Sequence, residues 1–393
     1  MKKEIIILLA SLLFMLTSLT SFANSGTNST AEQSIETSGE IKLNAKSALL
    51  MEANTGKILF CQNENEKSSP ASVTKIMTLL LVAEALEDGR VNKDDKIIIS
   101  DYAASMGGSQ VFLEEGEEMS VEELLKCTVI ASANDAAVAL AEHIGGSEQL
   151  FVGMMNKRAT ELGLENTFFE NVTGLDNETK NHLTTAKDIA IMSRELLKYD
   201  IIKKYSSLWQ DTIRNGEFTL TNTNRLVRYY DGCNGLKTGS TDKAGYCVSA
   251  SAERGGMQLI AVIMGAESRD ERNTAARTLL DYGFSNYTLY QADGEALEEI
   301  PVCKGTKISA VAYSTDFSCV ISKADVKKME KIFDIPETIT APLEEKAVIG
   351  KITYKIGDTT LGTSDIYVQE EINEISFFDV LTRIFKYIFT GKF

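Results

Sequence analysis

Ser69-Pro70-Ala71-Ser72-Val73-Thr74-Lys75 runs directly into Ile76-Met77-Thr78-Leu79-Leu80-Leu81-Val82-Ala83, and this junction decides how the chain is read. A proline among small residues ahead of an apolar run is how a helix starts. A serine three positions before a lysine at that opening puts hydroxyl and amine on one face, where the amine can take the hydroxyl's proton. The helix N-terminus also favours negative charge developing nearby. Ser-x-x-Lys alone is common, and its ordinary reading is a capping serine beside a solvated lysine.

Two further motifs change that reading. Ser132-Ala133-Asn134 forms a short polar break between two helix-like apolar segments, Val121 to Ile130 and Ala136 to Ile144, and so exposes two hydrogen-bonding side chains. Lys237-Thr238-Gly239 precedes Ser240-Thr241-Asp242 and the strand-like Tyr246-Cys247-Val248-Ser249-Ala250. Gly239 lets another backbone or a substrate approach closely.

In this order the three motifs resemble the penicillin-recognising serine enzymes. The closer resemblance is to the low-molecular-weight penicillin-binding proteins that act as serine-type D-alanyl-D-alanine carboxypeptidases. It is carried by Pro70 to Lys75, by Ala131-Ser132-Ala133-Asn134-Asp135-Ala136, by Asn171-Val172-Thr173-Gly174-Leu175-Asp176 and by Gly235-Leu236-Lys237-Thr238-Gly239-Ser240 with the residues to Tyr246. The resemblance spans roughly residues 42–285, and the rest of the chain also looks like that family.

Composition bounds the alternatives. A net charge of -16 leaves no broad basic surface, which excludes nucleic acid as a partner. With His143 and His182 as the two histidines, a three-histidine zinc site cannot be built and a Ser-His-Asp triad is a poor competitor. No metal or cofactor is expected. The six cysteines contain no C-x-x-C pair and are expected to be structural and reduced.

Lys2-Lys3, the apolar Ile5 to Leu16 and Ser21-Phe22-Ala23 read as an export signal over 1–23; an uncleaved anchor would equally place the body outside the cytoplasm. Residues 24–40 are polar and read as a flexible lead-in. Residues 41–285 form the candidate catalytic domain. Hairpins around Asn54-Thr55-Gly56 and Arg254-Gly255-Gly256, with a closing helix over Asp270 to Tyr282, predict an α+β arrangement built on an antiparallel sheet. The resemblance implies that this is the penicillin-binding/β-lactamase-like transpeptidase fold. Residues 286–370 alternate like a small all-β domain that acts as a spacer. In 371–393, Phe377, Phe378, Leu381, Ile384, Phe385 and Ile388 share one helical face opposite Arg383 and Lys386. That pattern predicts an amphipathic helix lying on a membrane surface, the alternative being an ordinary amphipathic helix docked on the β domain or on a partner.

Roles follow for the site. Ser72 is the expected nucleophile and Lys75 its base, which requires Lys75 to be held neutral part of the time by burial or by a cation such as Lys237. The resemblance implies the remainder. Ser132 relays protons, Asn134 holds the substrate peptide, and Lys237 and Thr238 orient its carboxylate, with Gly239 and Ser240 also in the substrate-binding set. The backbone N–H groups of Ser72 and Ser240 form the oxyanion hole. Arg272 aligns with an arginine that clamps the terminal carboxylate in some relatives, the alternative being a plain surface charge. His182 reads as capping a helix and His143 as a helix C-terminal charge. Expected partners are peptidoglycan stem peptides ending in D-Ala-D-Ala, and β-lactams as covalent inhibitors. Two rivals stand: a class A β-lactamase, against which Ala133 and the out-of-register Glu161 count, and a non-catalytic sensor of β-lactams or wall peptides.

Overall fold

The computed structural model describes residues 41–390 apart from 177 and 178; the expected export signal and the lead-in lie outside the described residues. The part that carries the three motifs is framed by β1 (Ser47–Glu52), β2 (Ile58–Gln62), α1 (Lys75–Glu87), α2 (Asn134–Gly145), α3 (Ala186–Leu196), β3 (Cys233–Thr241), β4 (Gly245–Arg254), β5 (Met257–Ala266) and α4 (Arg269–Asn286). The five strands form one antiparallel sheet in the order β2-β1-β5-β4-β3. Leu49 of the first hairpin therefore lies opposite Val262 of the last strand. This is the α+β arrangement the hairpin signals predicted.

The sheet is covered on both faces, which is why its strands are apolar almost throughout. Leu49 and Met51, with Ile260, Val262 and Met264, enter one core together with Ile76 and Leu80 of α1 and Ile189 and Met192 of α3. The alternate residues Ala48, Leu50, Leu259, Ala261 and Ile263 enter a second core with Ala276, Leu279 and Leu280 of α4. Each fully buried leucine or isoleucine contributes about 1.5–3 kcal/mol of transfer free energy.

Every residue of α1 from Lys75 to Ala83 is buried. A helix apolar on all sides has no surface position open to it, so the Ser72 to Lys75 segment sits against the molecule's centre. The expected helix opening is wound more tightly than the sequence reading had it. Ala71–Thr74 form a 3-10 turn, closed by the Val73 N–H donating to the Pro70 carbonyl, and the α-helix begins at Lys75.

Gly174 shows how closely that turn is held. Its φ is +82°, and a Cβ there would lie 1.8 Å from the Ala71 carbonyl oxygen and 2.7 Å from Thr74 Oγ1. Gly174→Ala is expected to cost more than about 3 kcal/mol, combining left-handed strain with a backbone overlap. Chemical denaturation measures it, and a loss below about 1 kcal/mol would refute the close packing.

Beyond α4, Tyr287–Ala292 pairs with Phe317–Ser322, and six further strands form a second sheet. The Phe317 ring stacks on Tyr354 at 3.8 Å. Lys57 Nζ donates to the Val320 carbonyl at 2.9 Å, tying β2 to this β-rich segment. The chain then forms α5 (Phe377–Thr390), whose six expected apolar-face residues are all exposed. Arg383 reaches back to the Gly305 and Thr306 carbonyls, but the apolar face is not covered by the β domain, against docking on that domain. Among the described residues no helix is long and apolar enough to cross a membrane.

Candidate active site

Lys75 is fully buried, and its ammonium nitrogen has three neighbours: Ser72 Oγ at 3.2 Å, Asn134 Oδ1 at 2.5 Å and the Thr173 carbonyl oxygen at 2.9 Å. Burial pulls its pKa down to about 7, and the Asp135 carboxylate partly opposes the shift. The three neighbours can accept all three N–H donors of the protonated form, and the geometry also serves the neutral amine. Two N–H bonds go to Asn134 and Thr173, which leaves the lone pair facing the Ser72 hydroxyl. Asp135 is itself fixed by the Val111 and Leu113 N–H groups.

Ser132 stands at the junction of a wide π-type turn, Cys127–Ala131, and α2. It takes up a left-handed conformation, φ 62° and ψ 27°, an uncommon state for a non-glycine residue and one that clusters at functional sites. Its hydroxyl accepts from Lys237 Nζ at 2.7 Å, and the same ammonium donates to the Thr238 carbonyl at 2.7 Å. Burial, followed by the neighbouring charges of Lys75 and Arg272, holds Lys237 well below the ordinary lysine value. Two buried lysines thus flank the pair of serines.

The third motif lies on β3, which passes against the 3-10 turn. A Cβ on Gly239 would lie 2.8 Å from the Ser72 nitrogen and 2.9 Å from both the Pro70 oxygen and the Val73 nitrogen. Only glycine permits this approach, and it brings Ser240 alongside Ser72. Thr238 Oγ1 donates to Thr223 Oγ1 at 2.8 Å. Ser72, Ser132, Thr238, Gly239, Ser240 and Arg272 line one cavity of about 580 Å³, inside the range of roughly 300–1,000 Å³ typical of small-molecule sites.

Three sequence readings need adjustment. Arg272 is not a surface charge: it is 3% exposed on α4, donating to Asn273 Oδ1 and to the Cys247 carbonyl. Asn134 is buried behind the cavity, its carbonyl held by Lys75 and its amide donating to the Gly107 carbonyl at 2.6 Å, so it orients the lysine directly. His182 does not cap a helix. Thr185 caps α3 instead, while His182 accepts the Glu170 N–H at Nδ1 and meets Thr74 Oγ1 at Nε2, with burial lowering its pKa to about 4. His143 lies in the last turn of α2 and Glu161 pairs with Lys157 and Arg158 on a helix surface, both as expected. All six cysteines are free.

Sequence reasoning assigned no part to the Thr173 carbonyl, to Asp135, or to Trp209, Arg225, Tyr229 and Arg269 of the cavity wall. The Asn171 to Gly174 segment carried the one available signal. Asn171 Oδ1 accepts the Thr173 and Gly174 N–H groups, and this turn aims the Thr173 carbonyl at Lys75.

Comparison with known proteins places the chain in a family. Residues 30–268 match the family described as D-alanyl-D-alanine carboxypeptidase, and residues 284–374 match the penicillin-binding protein 5 C-terminal domain. The chain is 43% identical to the D-alanyl-D-alanine carboxypeptidase DacF of Bacillus subtilis, over 90% of this chain and 92% of that protein. Penicillin-binding protein 5 from Haemophilus influenzae has a crystal structure that superposes with a TM-score of 0.74 at 30% identity, covering 86% of this chain and 99% of that one. Penicillin-binding protein D2 from Listeria monocytogenes, solved in an ampicillin-bound form, superposes with a TM-score of 0.58 at 30% identity, covering 63% of this chain and all of that one. The motifs, the sheet and these matches agree: the chain belongs to the D-alanyl-D-alanine carboxypeptidase family of penicillin-binding proteins.

Proposed function

We propose that the protein is a serine carboxypeptidase that removes the terminal D-alanine from peptidoglycan stem peptides through an acyl-enzyme on Ser72, and that penicillins acylate the same residue. The observation that carries this reading is the Lys75 amine, buried, lowered to about 7 and fixed by two acceptors so that its lone pair meets Ser72 Oγ. Lys75 takes the proton as Ser72 attacks the carbonyl between the two D-alanines. The Ser72 and Ser240 N–H groups receive the developing oxyanion, each worth about 10²- to 10³-fold in rate. Ser132, bonded to Lys237, passes a proton to the departing amine. Lys237, Thr238 and Arg272 supply the charge and hydroxyl that a free carboxylate needs, a requirement less strict for an endopeptidase.

Export and membrane attachment complete the reading. The apolar start of the chain suits secretion, and the exposed apolar face of α5 suits the surface of a lipid bilayer.

The deciding experiment is D-alanine release from a peptide ending in D-Ala-D-Ala, with intact mass recorded after penicillin. Sustained release with a one-to-one adduct is expected. An adduct without turnover would favour the sensor reading, whereas rapid hydrolysis of penicillin itself would favour a β-lactamase.

The base assignment fixes a pH profile. Lys75 must be neutral to act, so the penicillin acylation rate is expected to climb with pH and level off above about 7. Below the midpoint it should fall about tenfold per pH unit. A flat rate from about pH 5 to 8 would remove Lys75 from the role of base.

A further inference from the structure

Three arginines converge on the cavity that holds Ser72: Arg225, Arg269 and Arg272. They lie close enough that Arg269 and Arg225 add to burial, the larger cause, in lowering the Arg272 pKa to about 10. No aspartate or glutamate lines the cavity, although the chain carries 56 acidic residues against 40 basic ones. Arg225 and Arg269 are exposed on the cavity wall, and among the described residues their side chains have no carboxylate partner.

Under the proposed function one substrate carboxylate is met by Lys237, Thr238 and Arg272. Two guanidinium groups then remain uncommitted, on a cavity of about 580 Å³ of which a methyl side chain fills little. Guanidinium forks recognise carboxylates in two-point geometry, and uncompensated positive charge in a cleft concentrates anions.

We propose that the cavity also accepts, as the residue to be released, a C-terminal D-amino acid whose side chain bears a second carboxylate, D-glutamate or D-aspartate, with Arg225 and Arg269 binding that side chain. The inference rests on the carboxypeptidase reading and leaves its chemistry unchanged. Ser72 Oγ bonds to the penultimate carbonyl carbon, the C–N bond breaks, the acidic residue leaves with a proton on its amine, and water hydrolyses the ester.

The test compares kcat/KM of the full chain on three peptides that differ in the last residue: D-alanine, D-glutamate, or its uncharged isostere D-glutamine. Wild type is expected to release D-glutamate about tenfold more efficiently than D-glutamine, a preference that weakens with added salt. In the Arg225→Gln/Arg269→Gln double variant the ratio should fall to about one. Because both rates come from one preparation, the ratio is insensitive to loss of folded protein. A wild-type ratio at or below one, or a ratio that survives the double substitution, would overturn the inference while D-alanine release left the carboxypeptidase reading standing. Failure to release any of the three would overturn both.

Discussion

Ser72→Ala is expected to abolish the penicillin adduct and to lower D-alanine release by about 10⁴-fold or more, since no other hydroxyl occupies the position that Lys75 serves. Ser132, the nearest competitor by motif, has its hydroxyl committed to Lys237. The substitution removes one hydrogen bond from a half-buried side chain, so the fold should lose no more than about 1 kcal/mol. Intact mass after incubation with penicillin gives the answer in one measurement. A variant that still gained the mass of the drug would place the nucleophile elsewhere.

Lys75→Met should be nearly as damaging. Methionine keeps the length of the side chain and removes the nitrogen, so the Ser72 hydroxyl stays in place with nothing to take its proton, at a cost of about 10²- to 10⁴-fold in acylation rate. Two companion results separate a base from a mere prop. The residual rate of Lys75→Met should lose the rise through about pH 7, because the group that titrates there is gone. Lys75→Arg should give no rescue, since a guanidinium stays charged and cannot accept a proton. Recovery in the arginine variant would mean that positive charge, not the lone pair, is what the site requires.

The contrast between these lysines and the rest of the site shows what can be read from a sequence. Ser72, Lys75, Ser132 and Lys237 were legible because each sits in a short motif whose internal spacing is a geometric statement. The sheet was legible because two hairpins announce themselves by turn residues between apolar runs, and α5 because its aromatic residues repeat at helical spacing. Asn134 was found, yet its contact with the base was not, because that contact depends on a loop placing the Gly107 carbonyl behind its amide. The Thr173 carbonyl was invisible in principle, since a backbone oxygen carries no sequence signal and its direction is set by Asn171 and Gly174. Arg225 and Arg269 lie on separate segments, and only the fold brings them to one wall.

The pairing of Leu49 with Val262 has a bearing on when the molecule becomes reactive. A ribosome delivers β1 and the nucleophile early, but the strand that flanks β1 and the Gly239 strand that closes against Ser72 emerge about two hundred residues later. Contacts of such sequence separation form late and slowly, because the loop entropy must be met before the contact rewards it. Under the proposed function the serine is therefore expected to be inert throughout synthesis, because Lys75 stays a solvated, protonated lysine until the surrounding core assembles. Reactivity arrives as a property of the finished chain, so a fragment carrying the complete first motif but ending before β3 would be deaf to penicillin.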